Sequence, residues 1–412
     1  MENLNLNTTS KISGPIQEKE RLIIIDILRV FALLGIFIVN IQFYVAEPSD
    51  ISNNLIIWLI KIFIEGSFFP LFSILFGIGF AIILSRTEVN GKPNRNLFLR
   101  RLFFLFVIAS LQFIFLEPRH ILLRYSMLGI LLITFYSASQ RILKWSIAIF
   151  LIISVFHTQV IHGYDNFKRY YKGTVAAQVK VQDYNTLKKE TIKNETIKNE
   201  KNNWEDYSDY VIYNSKQLSY RVISLTREST MPIIFASFLL GIFIWRKGIF
   251  QRIHDYRPFL RFCLIFCGLF GLVGNIILLI LEGNGLSIAN SITFSAIQIF
   301  GDYLFTLFYI SGIALLSLNK SLIRLLKALI PAGKMGLTNY LLQSVAMSLI
   351  FLGYGLNLKG KLTAFESIIV VFLITIMQIM FSEWWLQRFK YGPVEWIWRL
   401  LTYGRWLPIR DS

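Results

Sequence analysis

The first membrane-length apolar run, residues 22–46, carries charged and amide side chains that could bind an anion or line a site. Asp26 and Arg29 are three positions apart, so in a helix they share a face and can pair. Asn40 follows Arg29 by eleven positions, about 16 Å further along nearly the same helix face. An ionised side chain at the centre of a span costs about 2.5–3.5 kcal/mol, so this polar stripe requires an explanation. Two interpretations stay open: a structural ion pair with an interhelical Asn, or the wall of a site or tunnel reached from both sides.

A second group of chemically capable side chains lies before the predicted fourth span, in the sequence LEPRHILLRYSMLG. His120 is the histidine best placed to act as a general base, because it lies at an outer span boundary beside carboxylate and guanidinium groups. Arg124 and Tyr125 follow it within five positions. A lone interfacial histidine is often structural, and that interpretation stays open. No spacing is typical of a metal site, a Ser-His-Asp triad or a phosphate-binding loop, so no metal is predicted.

Polar side chains recur in two later apolar runs. Asp302 lies in the outer half of the predicted eighth span, where a charge again needs a partner. Asn339 and Gln343 are four positions apart in the predicted ninth span, and therefore on one helix face. Amides at this spacing either join helices or line a cavity.

The composition determines what kind of fold must position these residues. Of 412 residues, 54% are hydrophobic and only 16% are charged, a balance with which a soluble protein could not cover its surface. We therefore predict an all-α polytopic membrane protein, in contact with the lipid bilayer, with about ten transmembrane helices. The predicted spans are 22–46, 67–85, 98–116, 120–138, 142–158, 231–246, 259–281, 295–317, 335–352 and 364–386.

The net charge of +17 follows the predicted topology. The short connections on one side of the bundle hold only Arg119, Lys359 and Lys361, whereas the other side is rich in Lys and Arg. This is the positive-inside pattern, and it predicts cytoplasmic N- and C-termini in a bacterial plasma (inner) membrane. The basic charge thus indicates orientation, and no nucleic-acid partner is predicted. The predicted cytoplasmic side includes Arg86, Arg100, Arg101, Arg246, Lys247, Arg257, Arg261, Arg324 and Lys334, and in the C-terminal tail Arg388, Arg399, Arg405 and Arg410.

The predicted organisation has five parts. An extracytoplasmic loop separates two transmembrane bundles of five spans each, and its tandem ETIKN repeat favours a solvated helix or a disordered segment. The Trp- and Arg-rich C-terminal tail is typical of a helix lying at the membrane interface. The parts are a cytoplasmic polar tail at 1–21, the first bundle at 22–158, the loop at 159–230, the second bundle at 231–386 and a cytoplasmic interfacial tail at 387–412.

Several of these runs together resemble the YeiB-like family, catalogued as domain of unknown function 418. They are LIIIDILRVFALLGIFIVNI, FPLFSILFGIGFA, MGLTNYLLQS, GYGL and RFKYGPVEWIWRLLTYG, and the resemblance covers nearly the whole chain. The resemblance implies a distant relationship to transmembrane acyltransferases, which move an acyl group from a cytoplasmic acyl-CoA-type donor to an acceptor on the far side. In one such family, an Arg in the first span is followed eleven residues later by a catalytic His. Arg29 matches the Arg, but Asn40 occupies the His position, and asparagine cannot act as a general base.

The resemblance and the residues together imply an acyltransferase-like bundle. The expected donor is an acyl-CoA, the expected acceptor is a small molecule, glycan or lipid, and the oligomeric state is left open. The alternatives are a transporter or exporter of a small or amphipathic molecule, which could use the same intramembrane charges, and a non-catalytic scaffold. The predicted catalytic residues are His120, Asn40 and Asp302, and the predicted donor- or substrate-binding residues are Asp26, Arg29, Arg124, Tyr125, Asn339 and Gln343.

Overall fold

The computed structural model describes residues 22–46, 51–86, 94–116, 121–173, 206–225, 228, 230–284 and 292–410. Within these ranges, all regular elements are helices. In chain order, the α-helices are α1 (Ile23–Ile41), α2 (Ile51–Phe63), α3 (Phe68–Arg86), α4 (Arg95–Phe115), α5 (Ile121–Phe135), α6 (Gln140–Gly173), α7 (Tyr207–Leu225), α8 (Thr230–Lys247), α9 (Arg257–Gly283), α10 (Ile292–Leu316), α11 (Lys320–Leu326), α12 (Ile330–Lys334), α13 (Gly336–Phe351), α14 (Ala364–Leu386) and α15 (Pro393–Tyr403). Short 3₁₀ turns follow α1 and α11, at Gln42–Tyr44 and Lys327–Leu329.

Hydropathy and length identify the membrane-crossing helices. In the described part of the chain, eight stretches are long and apolar enough to span a bilayer: α1 with its 3₁₀ turn, α2 and α3 together, α4, the first part of α6, α8, α9, α10 and α14. Two shorter apolar helices, α5 and α13, coincide with the predicted fourth and ninth spans. The prediction of an all-α polytopic membrane protein is confirmed.

The predicted loop contains more helix than its composition alone indicates. Helix α6 continues to Gly173, beyond the predicted end of the fifth span at residue 158, and α7 occupies part of the same segment. The side chain of Tyr210 on α7 is buried and donates a hydrogen bond to the carbonyl of Leu116 at the end of α4. Helix α7 therefore packs against the bundle. The ETIKN repeat lies outside the described residues.

Helices α3 and α8 cross with their backbones in close contact. A Cβ added to Gly77 would lie 2.1 Å from the carbonyl oxygen of Phe238, and one added to Gly241 would lie 2.2 Å from the carbonyl oxygen of Ile74. Glycine at these two positions lets the backbones approach, as small residues do at membrane helix interfaces. By contrast, a Cβ on Gly79 would meet nothing within 4 Å.

The backbone turns between α2 and α3, at residues 64–67, with Gly66 in the left-handed region at a φ of 81°. A break within an apolar helical stretch frees carbonyl groups, which need donors from the protein where water cannot reach them. Side chains of α9 and α10 supply them: Asn275 donates to the carbonyl of Ile62 at 2.6 Å, Thr306 to that of Ser67 at 2.7 Å, and Tyr309 to that of Phe63.

Candidate binding cavity at the basic end

A cavity of about 340 Å³ opens between α1, α3, α4, α5, α8, α12, α13 and α15. Its lining on α3 extends from Phe72 to Arg86, fourteen positions and about 21 Å along the helix axis. The described chain thus contains a channel-like space that follows α3 over much of a bilayer about 30 Å thick. We refer to it as the basic cavity. Its other lining residues include Ile25, Leu75, Gly79, Phe80, Phe98, Leu102, Leu105, Trp245, Leu337 and Tyr340.

Charged side chains line the basic cavity. Five are cationic, two are acidic, and the lining therefore carries net positive charge. The cations come from α1, α3, α4, α12 and α15, and belong to the side of the bundle that the charge asymmetry predicts to be cytoplasmic. The cations are Arg29, Arg86, Arg101, Lys334 and Arg399, and the acids are Asp26 and Glu395.

Asp26 and Arg29 form the ion pair that their spacing predicts. The Nη1 atom of Arg29 lies 2.6 Å from Oδ1 of Asp26, whose side chain is buried, while the Arg29 side chain is 30% exposed. The backbone of Gly333 on α12 approaches α1 so closely that a Cβ there would lie 2.1 Å from the Asp26 carbonyl oxygen. The pair therefore stands at a packed contact between α1 and α12, with the guanidinium at the cavity wall.

The second acid, Glu395 on α15, caps the N-terminus of α13. Its Oε1 accepts hydrogen bonds from the backbone amides of Leu337 at 2.7 Å and Thr338 at 3.0 Å. Its Oε2 accepts another from the Thr338 hydroxyl at 2.5 Å. The first amides of a helix lack intrahelical acceptors and favour negative charge, so this contact joins the C-terminal helix to the ninth span.

Helix α15 also positions two of the cavity cations. The guanidinium of Arg101 lies 3.6 Å from the ring centroid of Trp398, and the indole N–H of Trp398 donates to the Arg101 carbonyl at 2.9 Å. Arg399 lies 4.5 Å from the ring centroid of Tyr391. Such cation–π contacts restrict long side chains that would otherwise move freely.

The interior of the basic cavity is apolar and aromatic. The side chain of Tyr125 is fully buried, and its hydroxyl oxygen lies 2.6 Å from the hydroxyl oxygen of Ser73. Its ring packs against Phe76 and Phe238, with centroids 5.1 and 5.0 Å apart. A space with charged groups at one end and aromatic walls beyond suits an amphipathic anion.

Three of the predicted site residues line the basic cavity: Asp26, Arg29 and Tyr125. Asn40 is half-buried near the opposite end of α1 and is not among the lining residues. His120 lies outside the described residues. The polar stripe predicted along α1 is therefore divided, with only its first part at the cavity.

The other predicted site residues lie elsewhere. Arg124 pairs through Nε with Oε2 of Glu228 at 2.6 Å, and Arg221 of α7 approaches the same carboxylate at 3.3 Å. This cluster ties α5 to α7 and to the segment preceding α8. Asp302 is buried beside Gly66 in the α2–α3 turn, away from the basic cavity.

Asn339 and Gln343 take part in a hydrogen-bond network between α13 and α14. Asn339 donates to the carbonyl of Ala332 and to the hydroxyl of Ser382, both at 3.0 Å. Gln343 donates to Gln378 at 3.3 Å, and Gln378 donates to the Asn339 carbonyl at 2.9 Å. Both roles that the sequence leaves open for these amides are present: they join the helices, and they line a small pocket of about 10 Å³ beside α1.

Four cavity cations, Arg86, Arg101, Lys334 and Arg399, are predicted from sequence only as topology signals. They lie far apart in the chain, so no local pattern in the sequence indicates that they converge. In the described residues, no group of three or more His, Cys, Asp or Glu side chains could hold a metal ion.

Comparison with known proteins identifies relatives over the full length. Residues 244–405 match the family described as "Protein of unknown function (DUF418)". The chain is 27% identical to the uncharacterized protein YxaH of Bacillus subtilis (strain 168), over 96% of this chain and 97% of that protein. It is 28% identical to an uncharacterized 39.9 kDa protein in the amylase 3' region of Bacillus acidopullulyticus, with the same coverage of both chains. It is 40% identical to the uncharacterized protein YeiB of Escherichia coli (strain K12), over 19% of this chain and 20% of that protein.

No solved structure matches the chain. The family match includes both α15 and the ninth span, whose contact through Glu395 forms one wall of the basic cavity. These matches bear out the resemblance of the chain to the YeiB-like DUF418 family, whose model matches residues 244–405.

Proposed function

We propose that the protein binds an acyl-CoA-type donor in the basic cavity and transfers its acyl group to an extracytoplasmic small-molecule, glycan or lipid acceptor. One observation carries the proposal: five cationic side chains and a long aromatic interior line the same cavity. Arginine and lysine bind phosphate groups through charge-assisted hydrogen bonds, and the apolar interior matches an acyl chain.

The dimensions of the basic cavity support this ligand class. Its volume of about 340 Å³ falls within the range of small-molecule sites, about 300–1,000 Å³. The lining of α3 follows a path of about 21 Å, long enough for an extended chain. A water-soluble anion without an apolar tail would leave the aromatic part of the cavity unfilled.

In the proposed reaction, the acceptor hydroxyl attacks the thioester carbonyl carbon. The hydroxyl proton passes to a base, the new ester C–O bond forms, and the C–S bond breaks to release the CoA thiolate, which takes up the proton. His120 is the proposed base, with Leu122 and Tyr125, which follow it in the chain, lining the cavity interior. Asp26 orients Arg29 toward the donor.

The test is titration calorimetry of purified protein with acyl-CoAs of increasing chain length, beside CoA alone and a free fatty acid. We expect saturable binding that strengthens with chain length and falls at least about tenfold in Arg29→Ala, because a charge-assisted hydrogen bond contributes about 1.5–3 kcal/mol. Arg261→Ala is the matched control, since Arg261 is an exposed cation on α9 outside the cavity lining.

Turnover is tested separately, by transfer of a labelled acyl group from CoA to membrane-lipid and glycan fractions. Loss of transfer with retained donor binding in His120→Ala would support the proposed base. Absence of acyl-CoA binding to correctly folded protein would refute the proposed function and favour transport of another amphipathic molecule.

A further inference from the structure

Several buried side-chain oxygen atoms lie at the α2–α3 turn, and none of them lines the basic cavity. Asp302, with 8% of its surface exposed, points its carboxylate at Gly66, where a Cβ would lie 2.1 Å from Oδ1. Among the described residues, no hydrogen-bond donor or cation pairs with this carboxylate. Intramembrane acids are costly and normally have a partner, so the carboxylate requires a counter-charge or a proton.

Two further oxygens at the same turn are buried without a partner in the described structure. Asn275, which is 5% exposed, uses its amide nitrogen to hold the carbonyl of Ile62, and its Oδ1 has no donor. That oxygen lies beside the backbone of Gly301, the residue before Asp302. A Cβ added to Gly301 would lie 2.6 Å from it. Ser67, fully buried at the end of the turn, also has an unpartnered Oγ. A buried amide oxygen can be satisfied only by a donor or a cation.

The charged neighbours of this turn are acidic or already paired. Glu65 is exposed in the same turn and near enough to Asp302 for their charges to interact. The nearby Lys61 is bonded to Glu282 at 2.8 Å. The C-terminus of α2, which carries the negative end of its helix dipole, points into the turn and favours a cation there.

We propose that the α2–α3 turn binds a small monovalent cation, Na⁺, through the Asp302 carboxylate, Oδ1 of Asn275 and Oγ of Ser67. Carboxylate, amide and hydroxyl oxygens are the ligands that hard cations prefer. Breaks in membrane helices are places where backbone and side-chain oxygens can surround an ion. The bound cation neutralises Asp302 and satisfies both orphan oxygens. The site is independent of the proposed acyl donor.

The test is binding of ²²Na⁺ to the purified full-length protein in detergent, with Li⁺ and K⁺ as competitors. We expect saturable binding to the wild-type protein and a loss of more than about tenfold in Asp302→Asn, since even groups that only support a metal ligand change affinity by about 10- to 100-fold. Glu282→Gln is the matched control: it removes one acid beside the turn, and its binding should equal that of the wild type.

Ser67→Ala keeps the test decisive if Asp302→Asn does not fold, because it removes one proposed ligand without adding bulk. We expect it to weaken ²²Na⁺ binding while the helical circular-dichroism signal stays unchanged. Two results would overturn the proposal: no saturable ²²Na⁺ binding to folded wild-type protein, or equal binding by the wild type and by folded Asp302→Asn.

Discussion

Two glycines on α3, two positions apart, provide a matched test of the packing described above. Gly77 faces α8 at a close backbone contact, while Gly79 lines the basic cavity and has open space around it. Replacing either by alanine adds one methyl group and the same gain in helix propensity, up to about 1 kcal/mol. The two substitutions therefore differ only in the atoms that the added methyl group contacts.

The geometry sets the size of the difference. At Gly77 the new Cβ would lie 2.1 Å from the Phe238 carbonyl oxygen, well inside the 3.0 Å below which such contacts essentially do not occur. The helices must separate, and overpacking of this kind costs about 1–3 kcal/mol. Because the propensity gain cancels, Gly77→Ala should be less stable than Gly79→Ala by about 1–3 kcal/mol, or about 5- to 150-fold in the unfolding equilibrium.

The assay is equilibrium unfolding in mixed micelles by titration with a denaturing detergent, followed by circular dichroism. Equal stability of the two alanine variants would refute the assignment of Gly77 to a backbone-to-backbone contact.

A larger residue at Gly79 extends the test to ligand binding. Gly79→Leu should fill part of the basic cavity and weaken acyl-CoA binding while the unfolding midpoint stays near that of the wild type.

Three other substitutions test individual contacts by the same unfolding assay. Glu395→Ala should cost about 2–4 kcal/mol, because it removes a charged cap and three hydrogen bonds. Glu395→Gln should cost less, because its amide oxygen can still accept from the backbone amides, and a Gln variant as stable as the wild type would contradict a charge-dependent cap. In a double-mutant cycle, Arg124→Gln and Glu228→Gln should show a coupling energy of about 0.5–3 kcal/mol, and additive effects would contradict a direct pair. Asn339→Leu should cost about 1–2 kcal/mol by breaking two hydrogen bonds at the α13–α14 contact, and a neutral result would contradict that network.

The positions of the long apolar helices were predictable because the signal is local. Apolar length identifies a span without knowledge of its neighbours, and all ten predicted spans coincide with described helices. The Asp26–Arg29 pair was predictable for the same reason, since it depends only on helix geometry.

The basic cavity was not predictable, because its residues converge only after the helices pack. Helical periodicity correctly places Asn40 on nearly the same face of α1 as Arg29, but it cannot reveal that the cavity leaves α1 and follows α3. Similarly, Asn339 and Gln343 share a face in the sequence, and only the structure reveals that Gln378 and Ser382 of α14 lie opposite. In the sequence, the positive charge of Arg101 and Arg399 predicts only the orientation of the chain in the membrane, although the same residues line the cavity.

The cap on α13 has a consequence for biosynthesis. The backbone amide and the hydroxyl of Thr338 donate hydrogen bonds to Glu395, which is synthesised later because it lies 57 positions further along the chain. At about 5–20 residues per second, the ribosome needs about 3–11 s to reach it. During that interval the N-terminus of α13 lacks the Glu395 carboxylate that accepts its hydrogen bonds. The basic cavity also lacks the wall that α15 forms. The basic cavity therefore stays incomplete until α15 has been synthesised, because Glu395, Trp398 and Arg399 of this helix belong to its lining.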